Sequence, residues 1–215
     1  RIYRAWGVKQ RWCRKRSLSV RRDVPRWYKE APLALNTASF RGESHVAQSR
    51  DRILAFLEFL GAELPITWYT WKRHIPEMTH YNKDGSKWKV PDARPHPCSN
   101  IHDGNYPRLP ALDAFSAACK AISEAGGHVK PYVCSRIYDQ GIGENAPFAA
   151  EAKPNVVRKP DGALRFVERG DVGWEICYHT PWWHNRMAET VTELIRREHA
   201  GGVYFDTFYG GHQGQ

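Results

Sequence analysis

A chain of 215 residues, 41% hydrophobic and 26% charged, is long enough for one domain with a substantial core, and no window approaches the run of about eighteen apolar residues that spans a membrane. The net charge of +9 lies in an arm: residues 1–30 hold eleven Lys/Arg against Asp23 and Glu30, and the other residues carry twenty-one charges of each sign, which argues against an extended nucleic-acid-binding face. Five cysteines, scattered and odd in number, do not suggest a disulfide framework; Cys119 and Cys134 fall in apolar patterns that read as buried thiols.

The chain begins with Arg1, and residues 1–30 lack the apolar centre of a secretory signal. The expectation is an internal piece of a longer protein, with 1–30 a basic connector from a preceding region and 31–215 a partial barrel holding roughly strands 1–4. In the connector, Tyr3, Trp6 and Cys13 can share a helix face, and the run from Asp23 to Tyr28 docks aromatics as it enters the barrel. A short strand follows at 33–36. Residues 45–60 place Val46, Ile53, Leu54, Leu57 and Leu60 at mostly helical spacing, Gly61 suits the left-handed position after a helix, and 66–71 reads as a strand.

The same grammar then repeats. Leu112, Phe115, Cys119 and Ile122 recur at intervals of three and four, followed by Gly126, Gly127 and a strand at 128–134. The third helix opens with Thr180 as cap and Pro181 at its first position; Trp183, Met187, Val191 and Leu194 form its buried stripe, and the glycine pair Gly201 and Gly202 ends it before a strand at 203–205. The order β-α-β-α-β-α-β implies parallel strands with right-handed crossovers. The fold class is therefore α/β, the N-terminal half of a (β/α)8 barrel. An open four-stranded sheet of this kind exposes its edges, so the isolated piece is expected to self-associate.

Where the extra length falls is informative. Helix-to-strand joins are short, whereas the strand-to-helix joins, roughly 72–109 and 136–180, are long, and in a (β/α) barrel these emerge at the C-terminal face that carries active sites. Tyr81, Trp88, Tyr106, Tyr138 and Trp174 argue that the joins are ordered. The second contains a hairpin, with 156–158 and 164–167 flanking a Lys159-Pro160-Asp161-Gly162 turn.

Asp206, directly after the apolar run Val203-Tyr204-Phe205, is the strongest chemical candidate, because an ionisable group there lies at the barrel mouth and can serve as a nucleophile or charge stabiliser. Tyr204 joins it as a substrate contact. Asp139 and Arg136 are candidates for holding sugar hydroxyls, with a plain salt bridge as the alternative. Strand alternation sends Trp68 and Thr70 to one side and Tyr69 and Trp71 to the other; Trp68 and Trp71 are candidate stacking rings, with core packing as the alternative. His96, Cys98, His102 and Asp103 match no zinc spacing, no Gly-x-Ser-x-Gly elbow is present, and Gly141-Ile142-Gly143 does not sit between a strand and a helix, so neither a metal nor another cofactor is expected. The basic stretch 11–26 with Trp6, Trp12 and Trp27 offers nucleic-acid binding as a weaker reading than a solvated connector.

The run Tyr106-Pro107-Arg108-Leu109-Pro110, the segment Gly127-His128-Val129-Lys130-Pro131-Tyr132-Val133 with Arg136 and Asp139 after it, and Gly202-Val203-Tyr204-Phe205-Asp206 together resemble glycoside hydrolase-type (β/α)8 barrels. More narrowly, they are similar to large, poorly characterised bacterial glycosyl hydrolase-like proteins in which a β-rich region precedes the barrel. The resemblance covers roughly residues 23–212. It implies a carbohydrate substrate and Asp206 as nucleophile at the end of the fourth strand, with the general acid on a later strand supplied by the rest of the parent chain. The parent is then expected to be a glycosidase and this piece alone inactive. The rival reading is a noncatalytic carbohydrate-binding barrel.

Overall fold

The computed structural model describes residues 9, 18–37, 43–69, 71, 80–81, 87–88, 111, 113–139, 149–165 and 173–206. In chain order the helices are α1 (Arg26–Glu30), α2 (Glu43–Leu60), α3 (Asp113–Glu124), α4 (Ala149–Ala152) and α5 (Pro181–Arg197). The strands are β1 (Leu35–Thr37), β2 (Leu64–Trp68), β3 (His80–Tyr81), β4 (Lys87–Trp88), β5 (Gly127–Cys134), β6 (Ile137–Asp139), β7 (Gly173–Glu175) and β8 (Tyr204–Asp206).

β1, β2, β5 and β8 lie side by side in chain order and every neighbouring pair is parallel, with Ile66 opposite Leu35 and Val129, and Asp206 opposite Cys134. A helix of three or more turns precedes each of the last three. The strand order never reverses, which distinguishes a barrel arc from a doubly wound sheet with its switch point. The expected class, the N-terminal half of a (β/α)8-type barrel, is the fold observed.

The helices form where the apolar spacing called for them. Val46, Ile53 and Leu57 of α2 and Phe115, Ala118, Cys119 and Ile122 of α3 are buried against Leu64, Ile66, Val129 and Val133 of the sheet. Gly61 has φ +58 and its N–H donates to the Leu57 carbonyl at 2.9 Å, the left-handed stop expected after α2. Gly127 is set by packing. A Cβ there would collide with Ile122 and lie 2.8 and 2.9 Å from Ile66 and Leu57, so the glycine lets two helices sit directly on the sheet. β2 starts two residues earlier than the pattern suggested, because Pro65 is accommodated close to its beginning.

Thr180 caps α5, its Oγ1 accepting from the Trp183 N–H at 3.4 Å, with Pro181 next in line. The far end departs from expectation. The left-handed residue is His199, at φ 54, and the Ala200 N–H returns to the Leu194 carbonyl at 3.1 Å. Gly201 serves close approach instead: its added Cβ would lie 3.0 Å from the Cβ of His128, and its N–H donates to the Val129 carbonyl at 2.9 Å.

Alternation divides the sheet into two faces. Leu64, Ile66, Trp68, Val129, Val133, Val203 and Phe205 pack towards the helices. His128, Lys130, Tyr132, Cys134, Tyr204 and Asp206 take the opposite face, the lumen side of a barrel. At the starting ends of the strands this face is covered by α1: Trp27 stacks on His128 with centroids 3.8 Å apart and planes 12° apart, and Tyr28 receives the Lys130 ammonium 5.8 Å from its ring centre. Trp27 and Tyr28 thus dock on the sheet, as expected for the run from Asp23 to Tyr28.

Two smaller pairs lie in the joins. β3 and β4 are antiparallel, as are β6 and β7. The expected hairpin is present, with Arg158 bridged to Leu164 and Gly162 at φ +83 in the turn; its residues 166–167 lie outside the described residues. Among the described residues no helix is long and apolar enough to cross a membrane.

Candidate active site

Asp206 is the last residue of β8, and its surroundings are built by the end of β5. The Tyr132 hydroxyl donates to Asp206 Oδ2 at 2.5 Å, a short charge-assisted bond that sets the carboxylate's orientation. The Asp206 carbonyl is gripped twice by Ser135, whose N–H and hydroxyl donate to it at 3.2 and 3.0 Å. Ser135 is itself held, because the Trp183 indole donates to its carbonyl at 2.6 Å. Trp71 does the same for Tyr132, donating to its carbonyl at 2.8 Å. Two buried indoles therefore brace the strand ends that present the carboxylate.

Three phenols surround this point. Tyr69 stacks on Tyr132 with centroids 4.9 Å apart, and Tyr204 lies 5.8 Å from Tyr132 and 6.1 Å from Tyr69. Burial, then the fields of Tyr69 and Asp206 and a hydrogen bond with Tyr69, raise the Tyr204 phenol above its ordinary value, so it remains protonated at neutral pH.

Trp68 and Trp71 are not rings at the mouth. They are 2% and 0% exposed, and both pack on Phe115 of α3, edge-on at 5.4 Å and tilted at 5.7 Å. The alternation that separated them assumed a strand through residue 71, but β2 ends at Trp68 and the chain turns Trp71 back onto the same hydrophobic layer. The ring that takes the opposite face is Tyr69.

Asp139 and Arg136 also differ from their expected setting. The barrel strand ends at Cys134, and Asp139 closes β6, an antiparallel strand of the following join; the Asp139 side chain lies outside the described residues. Arg136 pairs with Glu175 of β7, its Nε 3.2 Å from Oε1. Arg165 approaches the other oxygen of Glu175 at 2.8 Å as an ion pair off the line of a hydrogen bond. His96, Cys98, His102, Asp103 and Gly141 to Gly143 lie outside the described residues, among which no group of three metal-ligating side chains occurs.

Residues 1–83 and 97–212 match DUF6259, a domain of unknown function. The chain belongs to the DUF6259 family. A Monosiga brevicollis protein named "Putative glycoside hydrolase 22789" is 21% identical over 223 residues, covering 95% of this chain and 17% of that protein. Among solved structures, a noncanonic maltogenic alpha-amylase, AmyB, from Thermotoga neapolitana superposes with a TM-score of 0.55 at 13% identity, covering 82% of this chain and 39% of the amylase. At that identity the likeness is one of fold. The chain spans well under half the length of either relative.

In this DUF6259 domain sequence reasoning singled out Asp206 and Tyr204, which the structure brings together, and missed Tyr132, Ser135 and Glu175. The position of Tyr132 two residues before Cys134 puts it on the face of β5 that carries Cys134. Knowing that it meets Asp206 requires the β5–β8 register, which joins positions 74 apart in the chain. As a chemical arrangement, a carboxylate at a strand end, oriented by a tyrosine hydroxyl and with phenols beside it, can attack or stabilise an electron-poor carbon and contact hydroxyl-rich ligands.

Proposed function

We propose that this DUF6259 domain is the nucleophile-bearing half of a glycoside hydrolase acting on a carbohydrate, with Asp206 as nucleophile or charge stabiliser. The observation that carries the reading is the Asp206 carboxylate at the end of the fourth parallel strand, oriented by the Tyr132 hydroxyl at 2.5 Å. The name of the Monosiga relative supports the same chemistry. Tyr204 and Tyr69 line the sugar site, and Arg136 and Asp139 contact hydroxyls from the join after β5. Residues 31–215 carry the barrel strands and 1–30 lead into them.

In a retaining course, an Asp206 oxygen attacks the anomeric carbon as the glycosidic C–O bond breaks, and the leaving oxygen takes a proton from an acid in the remainder of the parent protein. Water then attacks the same carbon, transfers a proton to that group and releases Asp206. The test is covalent trapping in the intact protein. An activated 2-deoxy-2-fluoro glycoside is expected to add one glycosyl mass to the peptide containing Asp206. Hydrolysis that proceeds undiminished in Asp206→Ala would sink the assignment. Sugar binding without turnover on a broad glycan panel would make this a binding barrel.

A further inference from the structure

The join after β5 brings three charged side chains together just beyond the strand ends where Asp206 lies. Arg136 and Arg165 converge on Glu175 from two sides, at 3.2 and 2.8 Å, with side-chain exposures of 20%, 32% and 11% respectively for Arg136, Arg165 and Glu175. Both contacts run through Nε, and that of Arg165 is out of line for a hydrogen bond, so the terminal nitrogens of the two forks are not used up by Glu175. The trio holds two positive charges and one negative. It is contiguous with the Asp206 clamp: Tyr178 hydrogen-bonds Ser135 and lies in the fields of both Arg136 and Glu175. By topology the described parts of the join, β6, β7 and the hairpin between them, follow the C-terminal end of β5.

We infer that Arg136 and Arg165, held apart by Glu175, form a subsite for an anionic substituent on the sugar, a carboxylate or a sulfate ester. A half-buried surplus cation favours an anion of matching shape, and a guanidinium fork offers two parallel N–H donors to a carboxylate or sulfate edge. Glu175 sets the spacing of the two forks and prevents them from repelling each other, so the subsite exists before ligand arrives. In this arrangement Asp206, oriented by Tyr132, acts on the sugar ring, and the two guanidinium groups take its substituent. The inference rests on the reading of this face as a sugar site.

The experiment is binding of glucuronate, glucose 6-sulfate and glucose to the intact protein, followed by calorimetry or ligand-detected NMR at two salt concentrations. At least one acidic sugar is expected to bind about tenfold or more tightly than glucose, with an advantage that shrinks in salt and disappears in Arg165→Gln while glucose binding stays unchanged. Which acid gains identifies carboxylate or sulfate. Arg165→Lys, which keeps the charge and Glu175's partner, is expected to retain part of the advantage and guards against a variant that fails to fold. Equal binding of all three sugars overturns the subsite and leaves the sugar reading standing, as does an acid preference that survives Arg165→Gln. Absence of binding by any sugar overturns both.

Discussion

The lumen face of the sheet is treated in opposite ways at its two ends. Where the strands begin, α1 lays Trp27 flat on His128 and Tyr28 over Lys130, and burial lowers the pKa of both cations, which favours their neutral forms. Where the strands finish, the same face carries Tyr132, Tyr204 and Asp206, hydrogen-bonded to one another or to Tyr69, and Trp27 and Tyr28 do not reach them. Residues 128 and 132 of one strand thus serve as floor and mouth. The lesson is that one alternating stripe can be closed by ring stacking at one end and kept polar at the other.

Removing the mouth's carboxylate should have the largest effect. If Asp206 is the nucleophile, Asp206→Ala lowers kcat of the intact protein by about 10⁴-fold, the scale seen when a catalytic group that acts as part of a unit is removed. Thermal stability should fall only by what the Tyr132 bond to Oδ2 contributes, about 1.5–3 kcal/mol, since Ser135 grips the backbone of residue 206 and that grip survives the substitution. A large fall in Tm with a small fall in kcat would instead make Asp206 part of the scaffold. Tyr132→Phe should come next, keeping the Tyr69 stack but deleting the donor on Oδ2. A bond to a charged group is worth about 1.5–3 kcal/mol, so kcat/KM should fall about tenfold to a hundredfold. Unchanged kinetics would reduce the bond to a packing detail.

How much of this was legible in the residues depends on range. The helix α5 is announced within four positions by Thr180 and Pro181, and the stop of α2 by Gly61, because capping and left-handed backbone are local physics. Asp206 was legible for the same reason, as the carboxylate that ends a short apolar run. Partners were not. Arg136 stands beside Asp139 in the chain and finds Glu175, 39 positions on, because the β6–β7 pairing sets Ile137 opposite Glu175. For Trp71 strand period left stacking and core packing both open, and a strand that stops at Trp68 turns it into the core. His199 takes the left-handed place that a glycine two residues later seemed to claim, since Gly201 is needed against His128.

The floor predicts stability effects where the mouth predicts kinetic ones. Trp27→Ala removes one half of the stack on His128 and should cost about 1–2 kcal/mol, the sum of a ring pair and its partial burial. Its kcat should be preserved if floor and mouth are independent, and a loss of activity equal to that of Tyr132→Phe would join the two ends into one unit.

The smallest effect is a pH dependence at the floor. Burial lowers the pKa of His128 below its ordinary 6.5, against the weaker pull of Glu63, whose Oε1 lies 3.7 Å from Nε2. A group whose folded pKa is depressed binds fewer protons folded than unfolded, so the folded state loses stability as pH falls below the unfolded value. The His128 contribution to Tm should therefore be constant above about pH 7 and decline between about pH 6.5 and the lower folded pKa of His128. His128→Asn should flatten that decline without moving the pH profile of any activity that Asp206 supports. Trp27→Ala should shrink it as well, because opening the stack returns water to the imidazole and lets its pKa rise towards the ordinary value. If the decline persists in both variants, its source is elsewhere, and the stacked ring is a spacer between arm and sheet rather than a titrating contact.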